Sequence, residues 1–154
     1  VGASVASKYG FSDVITPLLA CGARVRLHEQ GELSLEAFLR APRRRDVLTE
    51  IILPKAGGAG AFCNFRASTG DFSILNVAAL RRENTWRLAV GARPHCAALA
   101  YKAMEQLDGG AEADLAARTA AEELSFAGNM RASAEYRQAL CQTLCARVLR
   151  EVEK

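Results

Sequence analysis

Ser12 and Asp13, preceded by the small and hydroxylic run Gly2-Ala3-Ser4-Val5-Ala6-Ser7, are the residues whose types and spacing best suit a ligand. Small side chains let backbone amides approach a phosphate, hydroxyls donate to its oxygens, and a carboxylate accepts from a ribose or a ring donor. A Ser-Asp pair also caps many helices, so these residues by themselves leave a nucleotide site and an ordinary turn both open. Arg43, Arg44 and Arg45 form the densest positive cluster and suit a phosphate or an acidic partner. Their flanks, Pro42 and Asp46, lack the aromatics that nucleic-acid binders interleave with charge, so a solvated loop or a docking contact is expected and no nucleic acid. His28 and His95 are the only histidines, too few bases for a hydrolase and expected in surface or capping roles. Cys141 and Cys145 lie one helical turn apart without a histidine or further cysteine at ligand spacing, which predicts core packing and no metal site.

These residues must be carried by elements that the hydrophobic pattern outlines. Ser12 and Asp13 can cap a short helix through Val14, Ile15, Leu18 and Leu19, closed by Gly22 and preceded by a loop-like opening from Val1 and Gly2. Arg24 to His28 alternates basic and apolar residues, and Leu33 and Leu35 resume that alternation after Gln30-Gly31, which reads as a hairpin. One helical turn is expected over Glu36 to Leu39, then a strand from Leu48 to Leu53 ended by Pro54. The glycine-rich stretch Lys55 to Gly60 is the best candidate boundary. Beyond it, Ala61 to Arg66, Phe72 to Arg82 and Trp86 to Val90 predict an antiparallel meander with a tight turn at Glu83-Asn84. Three helices are expected over Cys96 to Leu107, Ala111 to Phe126 and Ser133 to Val152. The last should bury Tyr136, Leu140, Leu144 and Val148.

The whole chain has 154 residues, 50% hydrophobic and 24% charged, enough for one core of ordinary size or two small ones. Its formal charge of +3 arises from 20 basic and 17 acidic side chains mixed along the chain, which describes a solvated surface. Five cysteines without CxxC spacing suit free thiols in a reducing compartment. No apolar run reaches the roughly 18 residues of a membrane span, so no membrane is expected. The opening at Val1 lacks a basic and apolar leader, from which a cytoplasmic location and an origin inside a longer protein are expected.

Three stretches in the same order carry a resemblance. The first is Gly2 with its hydroxylic neighbours, then Ser12-Asp13 and Pro17-Leu18-Leu19-Ala20. The second runs from Leu35-Glu36-Ala37-Phe38-Leu39-Arg40-Ala41-Pro42-Arg43-Arg44 to Leu48-Thr49-Glu50-Ile51-Ile52-Leu53-Pro54 and is the most specific. The third comprises Gly70-Asp71-Phe72-Ser73, Ala89-Val90-Gly91-Ala92-Arg93-Pro94 and Ser133-Ala134-Glu135-Tyr136-Arg137. Together they resemble the FAD-carrying subunit of the molybdenum hydroxylases, the family of xanthine dehydrogenase and carbon monoxide dehydrogenase, over essentially the whole chain.

The resemblance implies an α+β fold in two parts. Residues 1–56 would be the end of the second FAD-binding subdomain, and 57–154 a three-stranded antiparallel sheet packed with three helices. It implies FAD contacts at Ser12 and Asp13, a pyrophosphate loop shaped by Gly2, and Leu48 against the flavin region. Asn64 falls where the family has a lysine near the flavin and Ala67 where it has an arginine, while the family's Gly-Asn turn reads Gly2-Ala3. The implied partners are a molybdopterin-binding subunit and a [2Fe-2S] subunit, with electrons passing from the clusters through FAD to an acceptor. Because the first FAD subdomain is absent, this chain alone is expected to hold FAD weakly or not at all. A docking subunit that has lost flavin chemistry is the alternative.

Overall fold

The computed structural model describes residues 1–43, 45–55 and 57–154. Arg44, within the arginine cluster, and Ala56, the last residue of the expected first part, lie outside the described residues. The elements in chain order are α1 (Gly2–Ala6), α2 (Ile15–Ala20), β1 (Arg24–Leu27), β2 (Gly31–Ser34), α3 (Leu35–Arg40) and β3 (Leu48–Ile52). They continue with β4 (Ala59–Phe65), β5 (Leu75–Arg82), β6 (Thr85–Gly91), β7 (Ala98–Leu99), α4 (Tyr101–Asp108), α5 (Ala113–Glu123) and α6 (Ala134–Val152).

The alternation of β1 buries Val25 and Leu27 while Arg24 and Arg26 stay exposed. This strand lies between β2 and β3 in an antiparallel sheet of order β2-β1-β3. On its exposed face Arg26 binds Glu32 at 3.2 Å and Glu50 at 2.6 Å, one carboxylate from each neighbour. Leu35, expected in the hairpin, instead opens α3, because Ser34 accepts a hydrogen bond from the Ala37 amide and caps a helix there.

The second sheet has the order β4-β5-β6-β7, antiparallel throughout. Its three long strands are those expected, and β7 adds two residues at one edge. The expected helix from Cys96 therefore starts later, at Tyr101: Ala98 and Leu99 pair with Val90 and Ala89 and fill ladder positions of β6 before the helix begins. Period-2 geometry splits the sheet between two cores. Leu75, Val77 and Ala79 of β5, with Trp86, Leu88 and Val90 of β6, face α4, α5 and α6. Ala78 and Ala89 face the other way, toward Ile15, Leu19, Val25 and Leu35 of the first part. The N-terminal elements thus complete their own core with the back of the C-terminal sheet.

Small residues set the spacing of the helical layer. Ala113, Ala116, Ala117, Ala120 and Ala121 form the buried side of α5, against which Leu144, Val148 and Leu149 of α6 pack. Ser133 caps α6 by accepting from the Tyr136 amide. The buried stripe of this helix differs from the expected one: Tyr136 is exposed, and Arg137, Cys141, Leu144, Cys145 and Val148 lie inside. Cys141 and Cys145 are fully buried free thiols with sulfurs 3.7 Å apart, the core role expected of them. Burial pushes the thiol of Cys63 up to about 11, so it is protonated at neutral pH. No described helix is long and apolar enough to cross a membrane.

Candidate functional site

The stretch before α2 is tied to the C-terminal sheet by side chains. Ser12 is buried, and its hydroxyl accepts from the amides of Val14 at 3.3 Å and Ile15 at 3.4 Å, opening α2. Asp13 spends both carboxylate oxygens on the sheet: Oδ1 accepts from Ser73 at 2.6 Å and from Asn76 at 2.8 Å, and Oδ2 from Arg66 at 2.5 Å. Asn76, itself fully buried, accepts on Oδ1 from the Thr16 hydroxyl at 2.7 Å. At the other end of α2, Arg87 donates to the carbonyls of Leu19 and Ala20, both at 3.0 Å, and Arg82 to that of Cys21 at 3.2 Å. The amides at the start of this six-residue helix are therefore met by Ser12, and the carbonyls at its end by arginines of the sheet beneath it.

Two glycines permit this approach. Gly91 lies under the Thr16–Asn76 hydrogen bond, where a Cβ would overlap Thr16 Oγ1 and Asn76 Oδ1. Gly10 passes so close to the chain after β6 that a Cβ would stand 2.5 Å from the Pro94 carbonyl, and its own carbonyl accepts from the Ala92 amide at 2.7 Å.

A separate cavity of about 290 Å³ opens between the end of α1, the β1–β2 hairpin and the segment before β3. Leu27, Leu33, Phe38 and Leu48 give it apolar walls, while Lys8, Arg43 and Asp46 supply charge. Lys8 is buried beside Phe38, its ammonium 4.3 Å from the ring centre, and donates to the Ala41 carbonyl at 2.8 Å. Burial pushes its pKa down, Cys96 opposes this, and Arg43 adds to it. Arg43 donates to the Ser7 carbonyl at 2.7 Å. Burial opposes ionisation of Asp46, but the amides of Glu29, Val47 and Gln30 outweigh it and hold its carboxyl below the usual range. With Asp46 engaged in these bonds, the cations remain the groups that would meet an anion against an apolar wall.

Of the five residues singled out in the sequence, Leu48 lines this cavity and the other four do not. Gly2 is exposed and opens α1, so the expected opening loop is a helix; Gly2 lies one helical turn before the lining residues Ala6 and Ser7. Ser12 and Asp13 sit in the polar seam. Asn64 is exposed on β4, in register with Asn76, and so shares the sheet face on which Asp13 is held. The cation nearest Asp13 is Arg66, two positions beyond Asn64, and it is already paired. Sequence reasoning gave no site role to Lys8, Arg66 or Asn76, and took Ser73 only as part of a family motif. A polar residue within the otherwise apolar run Leu75 to Leu80, Asn76, was the one available signal. His28 and His95 are exposed, in keeping with the surface role expected of them. Among the described residues no group of three or more His, Cys, Asp or Glu could hold a metal.

An antiparallel sheet with three helices on one face, and a smaller sheet and short helix on the other, defines an α+β class that comparison resolves. The model of the CO dehydrogenase flavoprotein C-terminal domain matches residues 60–152, and the chain belongs to that family. Quinoline 2-oxidoreductase from Pseudomonas putida 86 superposes on 98% of this chain with a TM-score of 0.83 and 21% identity. Carbon monoxide dehydrogenase from Hydrogenophaga pseudoflava, in a form lacking the Mo-pyranopterin moiety, superposes on 99% with a TM-score of 0.82 and 22% identity. Reconstituted CO dehydrogenase from Oligotropha carboxidovorans does so on 99%, also at 0.82, with 19% identity. At these identities the likeness is one of fold, and the chain spans 59% of the first of these structures and 60% of the other two. Among curated proteins, none matches the sequence.

Proposed function

We propose that this chain is the C-terminal part of the FAD-carrying subunit of a molybdenum hydroxylase and forms one wall of its flavin cleft. The family match over residues 60–152 carries this reading. The cavity at Leu48 supports it, since apolar walls with Lys8 and Arg43 suit an anionic ligand that has a flat apolar part. When bound, FAD supplies the redox chemistry that connects the [2Fe-2S] clusters of a partner subunit to an electron acceptor. Leu48 would stand against the flavin region, and the cations of Lys8 and Arg43 would hold negative charge beside it. Ser12 and Asp13 act mainly by fixing α2 to the sheet, because their side-chain oxygens are already engaged. Gly2 and Asn64 would lie at the margin. A cavity of about 290 Å³ is at the small end for a cofactor pocket, which agrees with a wall completed by the rest of the subunit.

A second reading is a docking subunit that has lost flavin chemistry. Asn64 favours it, standing where the family resemblance implies a lysine, with the neighbouring Arg66 bound to Asp13. Isolation of the tagged chain from its native cells separates the two. The flavoprotein reading expects a molybdopterin-binding chain, molybdenum, iron and flavin in the same fraction, in the cytoplasm. The docking reading expects the partner chains without flavin, and elution without molybdenum or partner chains would sink both.

A further inference from the structure

Away from the cavity at Leu48, a cleft of about 70 Å³ lies where Phe11, Phe72, Ala92, Arg131 and Arg137 meet. Arg137 is its floor and is only 1% exposed, although it stands on the inward side of α6 where an apolar residue would be expected. Its Nη1 donates to the Ala92 carbonyl at 3.3 Å and its Nη2 to Asn129 Oδ1 at 2.7 Å, while its Nε has no partner. Next to the lining Ala92, Arg93 is also buried and bonds the carbonyls of Ser125 at 2.7 Å and Cys96 at 3.0 Å. Neither guanidinium has a carboxylate partner among the described residues.

The carboxylates of the surrounding ring are already used. Asp71 pairs with Arg131 at 3.2 Å and Asp13 with Arg66. Of the two arginines that line the cleft, Arg131 has a carboxylate partner and Arg137, the buried one, has none. Arginine does not shed its proton to relieve burial, so Arg137 keeps its charge among neutral acceptors only, and a counter-charge is what an incoming anion would add. Burial pushes the pKa of Arg137 down and Arg131 adds to the push, with no carboxylate opposing them.

The size and rim of the cleft select the anion. A cleft of about 70 Å³ has room for a few waters, and so for one carboxylate head. The rim is aromatic: Phe11 and Phe72 are 4.0 Å apart, Tyr9 stacks on Phe11 at 5.0 Å, and Arg131 stands 5.2 Å over Phe72. We propose that this cleft binds the carboxylate of a small organic acid, with Arg137 below, Arg131 at the mouth and the aromatic rim against the acid's apolar part. This proposal does not depend on the flavin reading.

The test is thermal denaturation of the intact chain titrated with acetate and with benzoate against sodium chloride of equal ionic strength. A saturable rise in Tm with both carboxylates, at lower concentration for benzoate, and none with chloride, is expected. Arg131→Gln, at a side chain 30% exposed, should raise the half-saturating concentration about tenfold while the chain stays folded. Arg137→Gln should abolish the response, and Arg131→Gln carries the test if that variant does not fold. A response no greater than that to chloride, or one unchanged by Arg131→Gln, would overturn the proposal.

Discussion

Gly91→Ala should destabilise the chain by about 3 kcal/mol, through overpacking of roughly 1–3 kcal/mol and the loss of a buried hydrogen bond. The added methyl overlaps the Thr16 hydroxyl and the Asn76 carbonyl oxygen, so these groups cannot stay bonded above it. Both would remain buried, and their desolvation would go uncompensated. In a chain of this size the change corresponds to a fall in Tm of about 10 °C. Urea denaturation measures it directly: a lowered midpoint with an unchanged slope is expected. A loss below about 0.5 kcal/mol would show that the seam between α2 and the sheet relaxes at no cost.

Asn76→Ala should cost a similar amount, about 3 kcal/mol, for a polar reason. Asn76 donates to Asp13 and accepts from Thr16, so its loss strips one donor from a carboxylate and the acceptor from a buried hydroxyl. Asp13 keeps Arg66 and Ser73. A double-mutant cycle with Asp13→Ala should therefore return a coupling of about 1–2 kcal/mol, as befits a hydrogen bond to a charged acceptor. Additivity within about 0.5 kcal/mol would mean that Asp13 and Asn76 act independently.

Local signals in the sequence anticipated most of the elements, and long-range ones are what it concealed. The capping serine at 133, the alternation of Arg24 to Leu27, the Leu48 strand and the Glu83-Asn84 turn each depend on neighbours a few residues away. Strand β7 was hidden because Ala98 and Leu99 have helix-like company and become a strand only against the open edge of β6. The burial of Arg137 has no local signal, since a stripe phased on Tyr136 and Leu140 leaves it out and a buried guanidinium depends on acceptors contributed by Ala92 and Asn129. The opening helix was missed because its run of glycine, alanine, serine and valine has no cap and no apolar period.

The candidate site was partly legible for the same reason. Leu48 was singled out through family resemblance and lines a cavity. Ser12 and Asp13 were noticed by type, but their use is set by partners far along the chain: Arg66 is 53 residues away, Ser73 is 60 and Asn76 is 63. A Ser-Asp pair looks the same in sequence whether its oxygens face a cofactor or a strand. Lys8 gave no sign at all, since its burial depends on Phe38 and Ala41 folding over it.

Flavin content tests the central claim most directly. The purified 154-residue chain, mixed with FAD and desalted, should retain well under one flavin per chain by absorbance, whereas the intact subunit isolated with its partner subunits should carry one. Stoichiometric retention by the chain alone, or a complex of intact subunits without flavin, would contradict the account.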